Sequence, residues 1–257
     1  MTGRLAHLFD LTGRRALVTG GNSGIGLAMA RALGLQGAEV VLVARRAGPL
    51  EAAAAALTAE GIRATGFIAD LEKPAALAKL AAQVADHAGP VDILVNAAGV
   101  NLRQPFGQVS AAAFDTHMAL HLRAPFLLSQ ALAPGMAARG WGRILNLGSL
   151  QSVRAFADSA PYGAAKGGVV QLTRAIAEAW SGRGITCNAI APGFFPTPLT
   201  EPVFADPERA ARNAAQTAIG RNGVLEDLHG ATVFLCSDAS GYITGQTLFV
   251  DGGFTAR

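Results

Sequence analysis

A tyrosine and a lysine stand four residues apart within the segment PYGAAKGGVV, at Tyr162 and Lys166. If this segment is helical, the two side chains lie on one face, a turn apart. A free phenol has a pKa of about 10, and a neighbouring ammonium favours its ionised form, so the pair could transfer a proton near neutral pH. Ser149 ends the apolar run RILNLGS and could hydrogen-bond a substrate oxygen. These residues indicate acid/base chemistry on a hydroxyl or carbonyl group.

A glycine-rich turn lies upstream, where the apolar run RRALVT leads through GGNSGIG into a segment of helical periodicity. A turn of this kind between a strand and a helix can bind the pyrophosphate of a dinucleotide at the helix N-terminus. Gly20 permits the tight turn, Gly24 lets the backbone approach the pyrophosphate, and Gly26 lets the helix pack closely. The alternative is a glycine turn without a ligand. The predicted contacts are Gly20, Asn22, Ser23, Gly24, Ile25 and Gly26.

The residues after the second apolar run bear on the choice of coenzyme. NAD-binding sites usually carry an acidic residue there, which holds the adenosine ribose. In this chain EVVLVA is followed by Arg45 and Arg46. A carboxylate would repel a ribose 2′-phosphate, whereas a guanidinium can bind it through paired hydrogen bonds. We therefore predict NADP(H), with NAD(H) as the alternative if the arginines only face solvent.

Two further segments follow apolar runs and are candidate coenzyme contacts. Asp70 and Leu71 come after the third run, and Asp70 could accept a hydrogen bond from the adenine amino group. The alternative role of Asp70 is to cap a helix that begins in the following LEKPAAL. A turn of small residues after the fourth run could pass beneath the ribose. That turn comprises Asn96, Ala97, Ala98 and Gly99.

Short apolar runs alternate along the whole chain with alanine-rich segments of helical periodicity. This alternation is typical of a parallel sheet covered by helices on both faces. We predict an α/β fold, a doubly wound Rossmann sheet of about seven strands, with residues 1–257 forming a single domain. The predicted strands are Arg15–Thr19, Val40–Val43, Ala64–Ala69, Ile93–Asn96, Gly142–Leu147, Ile185–Ile190 and Thr247–Val250. The predicted helices are Gly24–Gln36, Leu50–Glu60, Lys73–His87, Ala111–Arg139 and Tyr162–Arg183.

The composition argues against several classes of protein. The 257 residues are 51% hydrophobic and 15% charged, which fits a large buried core. The net charge of +3 is spread without a basic run, so no nucleic-acid partner is expected. The sequence has no apolar run of about 18 residues and no secretion signal, so we expect a cytoplasmic protein without a membrane span. Cys187 and Cys236 are predicted to be buried free thiols, and no cluster has metal-ligand spacing.

From Leu11 to Gly253 the chain resembles the short-chain dehydrogenase/reductase family. The matching segments, in the family's order, are TGGNSGIG, NAAG, the GS that ends in Ser149, YGAAK, NAIAPGFFPT and GQTLFVDGG. The resemblance implies that Tyr162 protonates or deprotonates the substrate oxygen and that Ser149 orients it. It also implies that Tyr162 and Lys166 bind the coenzyme, with Lys166 on the nicotinamide ribose, and that the lysine, together with the positive nicotinamide ring, lowers the pKa of that tyrosine.

The same resemblance extends to the coenzyme, the lid and the assembly. Pro192, Gly193 and Thr197 would hold the nicotinamide carboxamide. Residues 199–220 resemble the family's variable substrate lid, which we expect to be mobile. Members of the family are typically tetramers. A homotetramer is therefore expected here, with the apolar C-terminal segment at an interface.

The chain departs from the family pattern at His121. The segment FDTHMALHL matches a helix in which the family has an asparagine at this place. That asparagine completes a proton relay through water to the lysine. An imidazole also hydrogen-bonds water and titrates near neutral pH, so His121 could serve in the relay. The alternative is a buried histidine with no part in proton transfer.

The substrate is indicated by two local runs, GVNLRQPF and GSLQS, which resemble those of the sugar-acid subgroup, gluconate 5-dehydrogenases among them. Arg103 could pair with a substrate carboxylate, and Gln151 could bind a sugar hydroxyl beside Ser149 and Tyr162. We predict hydride transfer between NADP(H) and a secondary alcohol or ketone of a sugar acid. The alternatives are a reductase of 3-oxoacyl thioesters or small ketones, and a weakly catalytic NAD(P)-binding protein.

Overall fold

The computed structural model describes residues 5–257, and seven strands of that part form one parallel sheet in the order β3-β2-β1-β4-β5-β6-β7. Their bounds are β1 Arg15–Thr19, β2 Glu39–Ala44, β3 Ala64–Ile68, β4 Ile93–Asn96, β5 Gly142–Leu147, β6 Ile185–Pro192 and β7 Thr247–Val250. All six neighbouring pairs are parallel. From β1 the chain adds β2 and β3 on one side of the sheet. It then crosses to β4, which pairs with the other side of β1, and adds β5, β6 and β7 in turn. The prediction of a doubly wound sheet is confirmed.

The helices cover both faces of the sheet. Their bounds are α1 Gly24–Leu35, α2 Ala47–Ala59, α3 Pro74–His87, α4 Ala111–Met118, α5 Ala124–Ala138, α6 Ala160–Trp180, α7 Glu201–Phe204, α8 Pro207–Ala215 and α9 His229–Cys236. The sheet has a hydrophobic core on each face, and successive residues of β1 point into different cores. Val18 packs in the core that includes α1, α2 and α9, and Leu17 packs in the core that includes α3, α5 and α6. Both faces of β1 are therefore apolar, as parallel sheets require.

The segment 111–139, predicted as one helix, is divided in the structure. Helix α4 ends at Met118, a π-helical turn spans Ala119–Arg123, and α5 begins at Ala124. Pro125 has no backbone N–H to donate to the carbonyl of His121, so the ordinary bonding pattern fails there. A wider turn replaces it. This irregular turn carries His121 into the interior, where it is 2% exposed.

The carboxyl ends of β1, β2, β4, β5 and β6 meet at one edge of the sheet, and the strand order reverses between β1 and β4. Ligands of doubly wound sheets bind in the crevice at such a switch point. The candidate site residues follow these strands directly: the glycine turn after β1, Arg45 after β2, and Ser149 after β5. The fold thus gathers residues that are far apart in sequence.

Both cysteines are buried free thiols, as predicted. Cys187 lies on β6 and Cys236 ends α9, and each side chain is in the apolar core. Burial raises the pKa of the Cys187 thiol, and it raises that of Cys236 to about 12. Neither thiol is therefore a nucleophile at neutral pH. Among residues 5–257, none of the helices combines the length and the apolar character that a membrane span requires.

Candidate active site

A groove of about 320 Å³ runs along the switch point of the sheet. Most of the predicted coenzyme contacts line it. These are Gly20, Asn22, Ser23, Gly24, Ile25, Gly26, Arg45, Arg46, Leu71, Ala97, Ala98, Gly99 and Thr197. Because this set comes from the ends of β1, β2, β3 and β4 and from Thr197 after β6, the groove is long enough to accept an extended ligand such as a dinucleotide.

The glycine turn leaves the backbone of α1 open to a ligand. Gly20 has a φ of +67°, and a Cβ there would meet the Ala98 Cα at 2.8 Å. A Cβ at Gly26 would overlap the Gly20 carbonyl. Ser23 precedes α1 without a side-chain cap bond to the first turn. The first N–H groups of α1 thus face the groove without a side-chain partner, which suits the pyrophosphate of a dinucleotide.

Asp70 and Asn96 were predicted to contact the coenzyme, but neither residue lines the groove. Asp70 accepts a hydrogen bond from the Glu72 N–H at 3.1 Å and pairs with Lys73 at 3.6 Å. The buried Asn96 donates from Nδ2 to Asn146 Oδ1 on the next strand at 2.8 Å. Bonds within the fold thus hold the Asp70 carboxylate and the Asn96 Nδ2, while Asn96 Oδ1 has no hydrogen-bond partner among residues 5–257.

Arg45 and Arg46 lie at the ribose end of the groove, just after β2. Arg45 pairs with Glu72 at 3.1 Å, and its side chain is 56% exposed. Among residues 5–257, Arg46 has no salt-bridge partner. An exposed pair of this kind is weak, so a phosphate can compete for either guanidinium.

Arg45→Ala is expected to lower kcat/KM for NADP(H) about tenfold, the effect of losing one charged hydrogen bond, and to leave NAD(H) unchanged. Steady-state kinetics with both coenzymes measure this. Arg63→Ala is the matched control, because Arg63 is also exposed and also pairs with a glutamate, Glu39 at 3.1 Å, but lies before β3. A wild-type preference for NAD(H) would refute the coenzyme prediction.

Tyr162 and Lys166 lie one turn apart near the start of α6. The Lys166 Nζ is 5.6 Å from the centroid of the Tyr162 ring and donates a hydrogen bond to the Leu147 carbonyl at the end of β5. Ser149 follows β5, is 9% exposed, and accepts a hydrogen bond from the Gln151 N–H at 3.1 Å. The structure thus brings together Ser149, Tyr162 and Lys166 of the predicted catalytic set.

Burial shifts the pKa values of Tyr162 and Lys166 away from their ordinary values. Burial raises the pKa of Tyr162, while the Ser149 hydroxyl and the Arg103 guanidinium act in the opposite direction. Burial also lowers the pKa of Lys166 to about 7. Without a dinucleotide the lysine is therefore only partly charged at neutral pH, and desolvation of the phenolate prevails. The expectation of an acidified phenol rests on the bound nicotinamide ring as well as on the lysine, and it stays a prediction for the coenzyme complex.

A second cavity of about 340 Å³ adjoins the groove, and the two share Ile25, Leu147, Thr197 and Leu199. Tyr162 and the three predicted substrate contacts, Arg103, Ser149 and Gln151, line this second cavity, which we call the substrate cavity. Pro192 and Gly193 line it as well, rather than the groove. No aspartate or glutamate of the described chain lies in its wall, so nothing acidic there neutralises Arg103.

Other residues of the substrate cavity were not predicted from the sequence. Asn101 lies in its wall, and its buried Oδ1 has no hydrogen-bond partner within the described part of the chain. The same is true of Gln151 Oε1. Two unpaired amide oxygens at a cavity wall are acceptors for hydroxyl groups. Asn101 belongs to the run GVNLRQPF, so its position beside Arg103 was a signal that could have identified it.

His121 lies beneath Tyr162 with a second histidine, His117, one turn earlier. The ring centroid of His121 is 5.1 Å from that of Tyr162, and that of His117 is 6.3 Å from it. His121 Nε2 is 2.8 Å from the Val100 carbonyl, while the Leu102 N–H donates to His117 Nε2 at 3.2 Å. The two rings thus fix the loop that carries Asn101 and Arg103. The spacing of His117 and His121 would have revealed the pair.

His121 is neutral in this environment. Burial holds its pKa well below the usual value, with further lowering by Lys166 and His117 and an opposing bond to Val100. Its Nδ1 is buried and has no hydrogen-bond partner among residues 5–257. In the tautomer whose Nε2 donates to the Val100 carbonyl, Nδ1 is a free acceptor; in the other tautomer Nε2 accepts from the Val100 N–H at 3.4 Å and Nδ1 carries the proton. A neutral ring of this kind resembles an asparagine side chain in the bonds it can make.

We therefore expect His121→Asn to keep or raise kcat, because an amide can also bond the Val100 carbonyl and a water molecule. Initial rates of the variant and of the wild type measure this. His87→Asn serves as the control, since His87 is an exposed histidine on α3. A loss of more than about a hundredfold, near 3 kcal/mol of activation free energy, would show that the imidazole itself is required.

The doubly wound sheet, with its groove at the switch point and a tyrosine beside it, has the architecture of a dinucleotide-dependent oxidoreductase. A family model described as enoyl-(acyl carrier protein) reductase matches residues 20–255. The chain belongs to the short-chain dehydrogenase/reductase family, whose members are NAD(P)-dependent enzymes that act on CH–OH groups. The resemblance found in the sequence is thus confirmed.

Individual relatives cover nearly the whole chain. Gluconate 5-dehydrogenase of Gluconobacter oxydans (strain 621H) is 43% identical over 248 residues, 96% of this chain and 97% of that protein. Galactitol 2-dehydrogenase (L-tagatose-forming) of Cereibacter sphaeroides is 40% identical over 252 residues, 96% and 97% of the two chains. A crystal structure of gluconate 5-dehydrogenase from Burkholderia cenocepacia J2315 in complex with NADP and tartrate superimposes with a TM-score of 0.94, at 38% identity, over 98% of this chain and 99% of that one.

Proposed function

We propose that this oxidoreductase interconverts a secondary alcohol and a ketone of a sugar acid with NADP(H) as coenzyme. The observation that carries the proposal is the guanidinium of Arg103, which has no ion pair among residues 5–257 and lines the same cavity as Tyr162 and Ser149. An arginine is always charged, and a carboxylate is the planar partner that it binds best. The relatives named as gluconate 5-dehydrogenases and the tartrate in the Burkholderia enzyme support a carboxylated substrate.

The coenzyme would lie in the groove, with its pyrophosphate at the start of α1 and its 2′-phosphate at Arg45 and Arg46. When bound, the nicotinamide ring gives or takes the hydride. Lys166 would hold the nicotinamide ribose, and Thr197, Pro192 and Gly193 would hold the carboxamide. The support for NADP(H) is the pair of arginines after β2 and the NADP in the Burkholderia enzyme.

The protein's own groups would handle the proton. In reduction, Tyr162 donates its phenolic proton to the ketone oxygen as the hydride arrives at carbon, and the substrate leaves as the alcohol. In oxidation the phenolate takes the proton back. The raised pKa of Tyr162 favours the donor role in the protein alone. The positive charge that a bound oxidised coenzyme brings favours the phenolate required for oxidation.

The remaining polar groups would select and orient the substrate. Ser149 would donate a hydrogen bond to the reacting oxygen, while the amide oxygens of Asn101 and Gln151 accept from hydroxyl groups. Arg103 would bind the carboxylate. Residues 199–220, which include α7 and α8, would act as a lid, because Leu199, Thr200, Pro202 and Val203 contribute to the cavity wall.

Turnover of carboxylated and neutral substrates tests the proposal. Gluconate with NADP, and a keto-gluconate with NADPH, should be used at least about tenfold better than galactitol or a 3-oxoacyl thioester. Arg103→Met should abolish this advantage, whereas Arg174→Met, at an exposed arginine of α6, should not. Equal turnover of neutral polyols or simple ketones by the wild type would overturn the sugar-acid proposal.

We also propose a single domain over residues 1–257 and a homotetramer. Exposed apolar side chains support the assembly: Phe114 on α4 is 45% exposed, Phe126 on α5 is 47% exposed, and Leu248 on the edge strand β7 is 40% exposed. Surfaces of this kind are commonly covered by a partner. The mass measured by light scattering at micromolar concentration would decide between monomer, dimer and tetramer.

A further inference from the structure

The lid carries an arginine that has no partner in the described part of the chain. Helix α8 bears Arg209 and Arg212, and Arg212 pairs with Glu208 at 3.3 Å. Farther along, Arg221 pairs with Asp227 at 2.6 Å. The backbone N–H of Arg209 bonds Asp206 at 3.0 Å, but no acceptor within residues 5–257 meets its guanidinium. The guanidinium of Arg209 is therefore a positive charge on the lid with no ion pair among the described residues.

Arg209 lies in the wall of the substrate cavity, and Arg212 does not. It shares that cavity with Arg103, which also has no ion pair among the described residues. The two arginines enter from different elements: Arg103 from the loop after β4, and Arg209 from α8. The cavity thus receives two positive charges and no acidic group from the described chain.

The rest of the wall makes the charge of Arg209 more effective. Much of it is apolar, formed by Phe156, Phe194, Phe195, Leu199, Pro202 and Val203. Arg209 is half-buried beside them, so the attraction between its guanidinium and an anion is less screened than in open water, whereas Arg103 is exposed. An arginine cannot lose its proton to escape this environment. An anionic group of the substrate is the partner that would balance the second charge.

We propose that Arg209 is a second anion-binding residue of the substrate cavity. It binds the anionic oxygens of a carboxylate, phosphate or sulfonate from the lid side, while Arg103 binds from the side of the sheet. The inference rests on the proposed function in one respect, the identity of the cavity as the substrate site. No part of the proposed proton transfer involves Arg209, so its replacement affects binding and leaves the acid/base step intact.

Three matched four-carbon compounds test this proposal by binding alone. Tartrate has a carboxylate at both ends, threonate at one end, and threitol at neither. Their dissociation constants are measured against the NADPH-loaded protein through the nicotinamide fluorescence. We expect Arg209→Met to weaken tartrate about tenfold or more, Arg209→Lys to weaken it less, and threitol binding to stay unchanged. Arg212→Met is the control on the same helix and should match the wild type.

The pattern across the series identifies the anion that Arg209 binds. Equal weakening of tartrate and threonate supports a carboxylate shared with Arg103, whereas weakening of tartrate alone supports a second anionic group. Arg209→Met binding tartrate as tightly as Arg212→Met does, with an unchanged Tm, would overturn the proposal. Unchanged tartrate binding by Arg209→Met refutes only the role of Arg209 when gluconate is turned over and its turnover depends on Arg103. If gluconate is not turned over but Arg209→Met weakens tartrate, only the proposed function fails.

Discussion

Tyr162→Phe is expected to lower kcat by about a thousandfold, since a positioned general acid or base contributes roughly 10²–10⁴. The phenyl ring keeps the packing against His121 and His117, so the change removes only the hydroxyl that exchanges a proton with the substrate. The dissociation constant for NADP(H) should change little, because Lys166 and the other predicted coenzyme contacts remain in the variant. Single-turnover rates and coenzyme titrations measure the two quantities separately.

The chain contains a second tyrosine that serves as the control. Tyr242 is fully exposed and lines neither the groove nor the substrate cavity. Tyr242→Phe should leave kcat and all binding constants at the wild-type values. If Tyr162→Phe retained a kcat within about tenfold of the wild type, the proposed acid/base role would be wrong.

Lys166→Met is expected to lower kcat/KM by about a hundredfold or more and to raise the KM for the coenzyme. The lysine is 3% exposed, bonds the Leu147 carbonyl and lies beside the Tyr162 ring. Its loss removes a charge that both the ribose and the phenolate would use, and each such bond contributes about 1.5–3 kcal/mol. Lys79→Met is the control, at an exposed lysine of α3. Wild-type kinetics in the Lys166 variant would contradict the assignment.

Lys166 also makes the stability of the coenzyme-free protein depend on pH. Its pKa is about 7 in the folded protein, against 10.5 for an ordinary lysine. Between these values the unfolded chain binds more protons, so the free energy of unfolding rises with pH. Below about pH 7 the folded protein must hold a buried charge and is less stable. Lys166→Met should therefore stabilise the protein more at pH 6.5 than at pH 9.5. Equal gains in Tm at both values would contradict the lowered pKa.

The strands could be predicted from the sequence because their physical signal is strong and local. In β2 the residues from Val40 to Val43 are all buried, and the sequence there is an unbroken apolar run. The glycine turn was recognisable for the same kind of reason. Gly20 and Gly26 stand where a Cβ would collide with backbone, and only one residue type meets that condition.

Features that depend on long-range packing were not predictable in this way. The π-helical turn at His121 follows from a proline whose effect depends on the surrounding helix. The position of Arg209 in the cavity wall depends on how the lid packs over the sheet. The protonation of Tyr162 depends on a burial that no sequence window contains. In each case the residue could be read from the sequence, but the residues that contact it in the folded protein could not.

Transfer of deuterium from the coenzyme tests the central claim most directly. NADPH that carries deuterium at both C4 positions is incubated with the wild-type protein and a keto-gluconate, and the product is analysed by mass spectrometry and NMR. Hydride transfer predicts one deuterium on the carbon that bears the new hydroxyl, with the exchangeable proton coming from solvent through Tyr162. A reduced product that holds no deuterium from the coenzyme would contradict it.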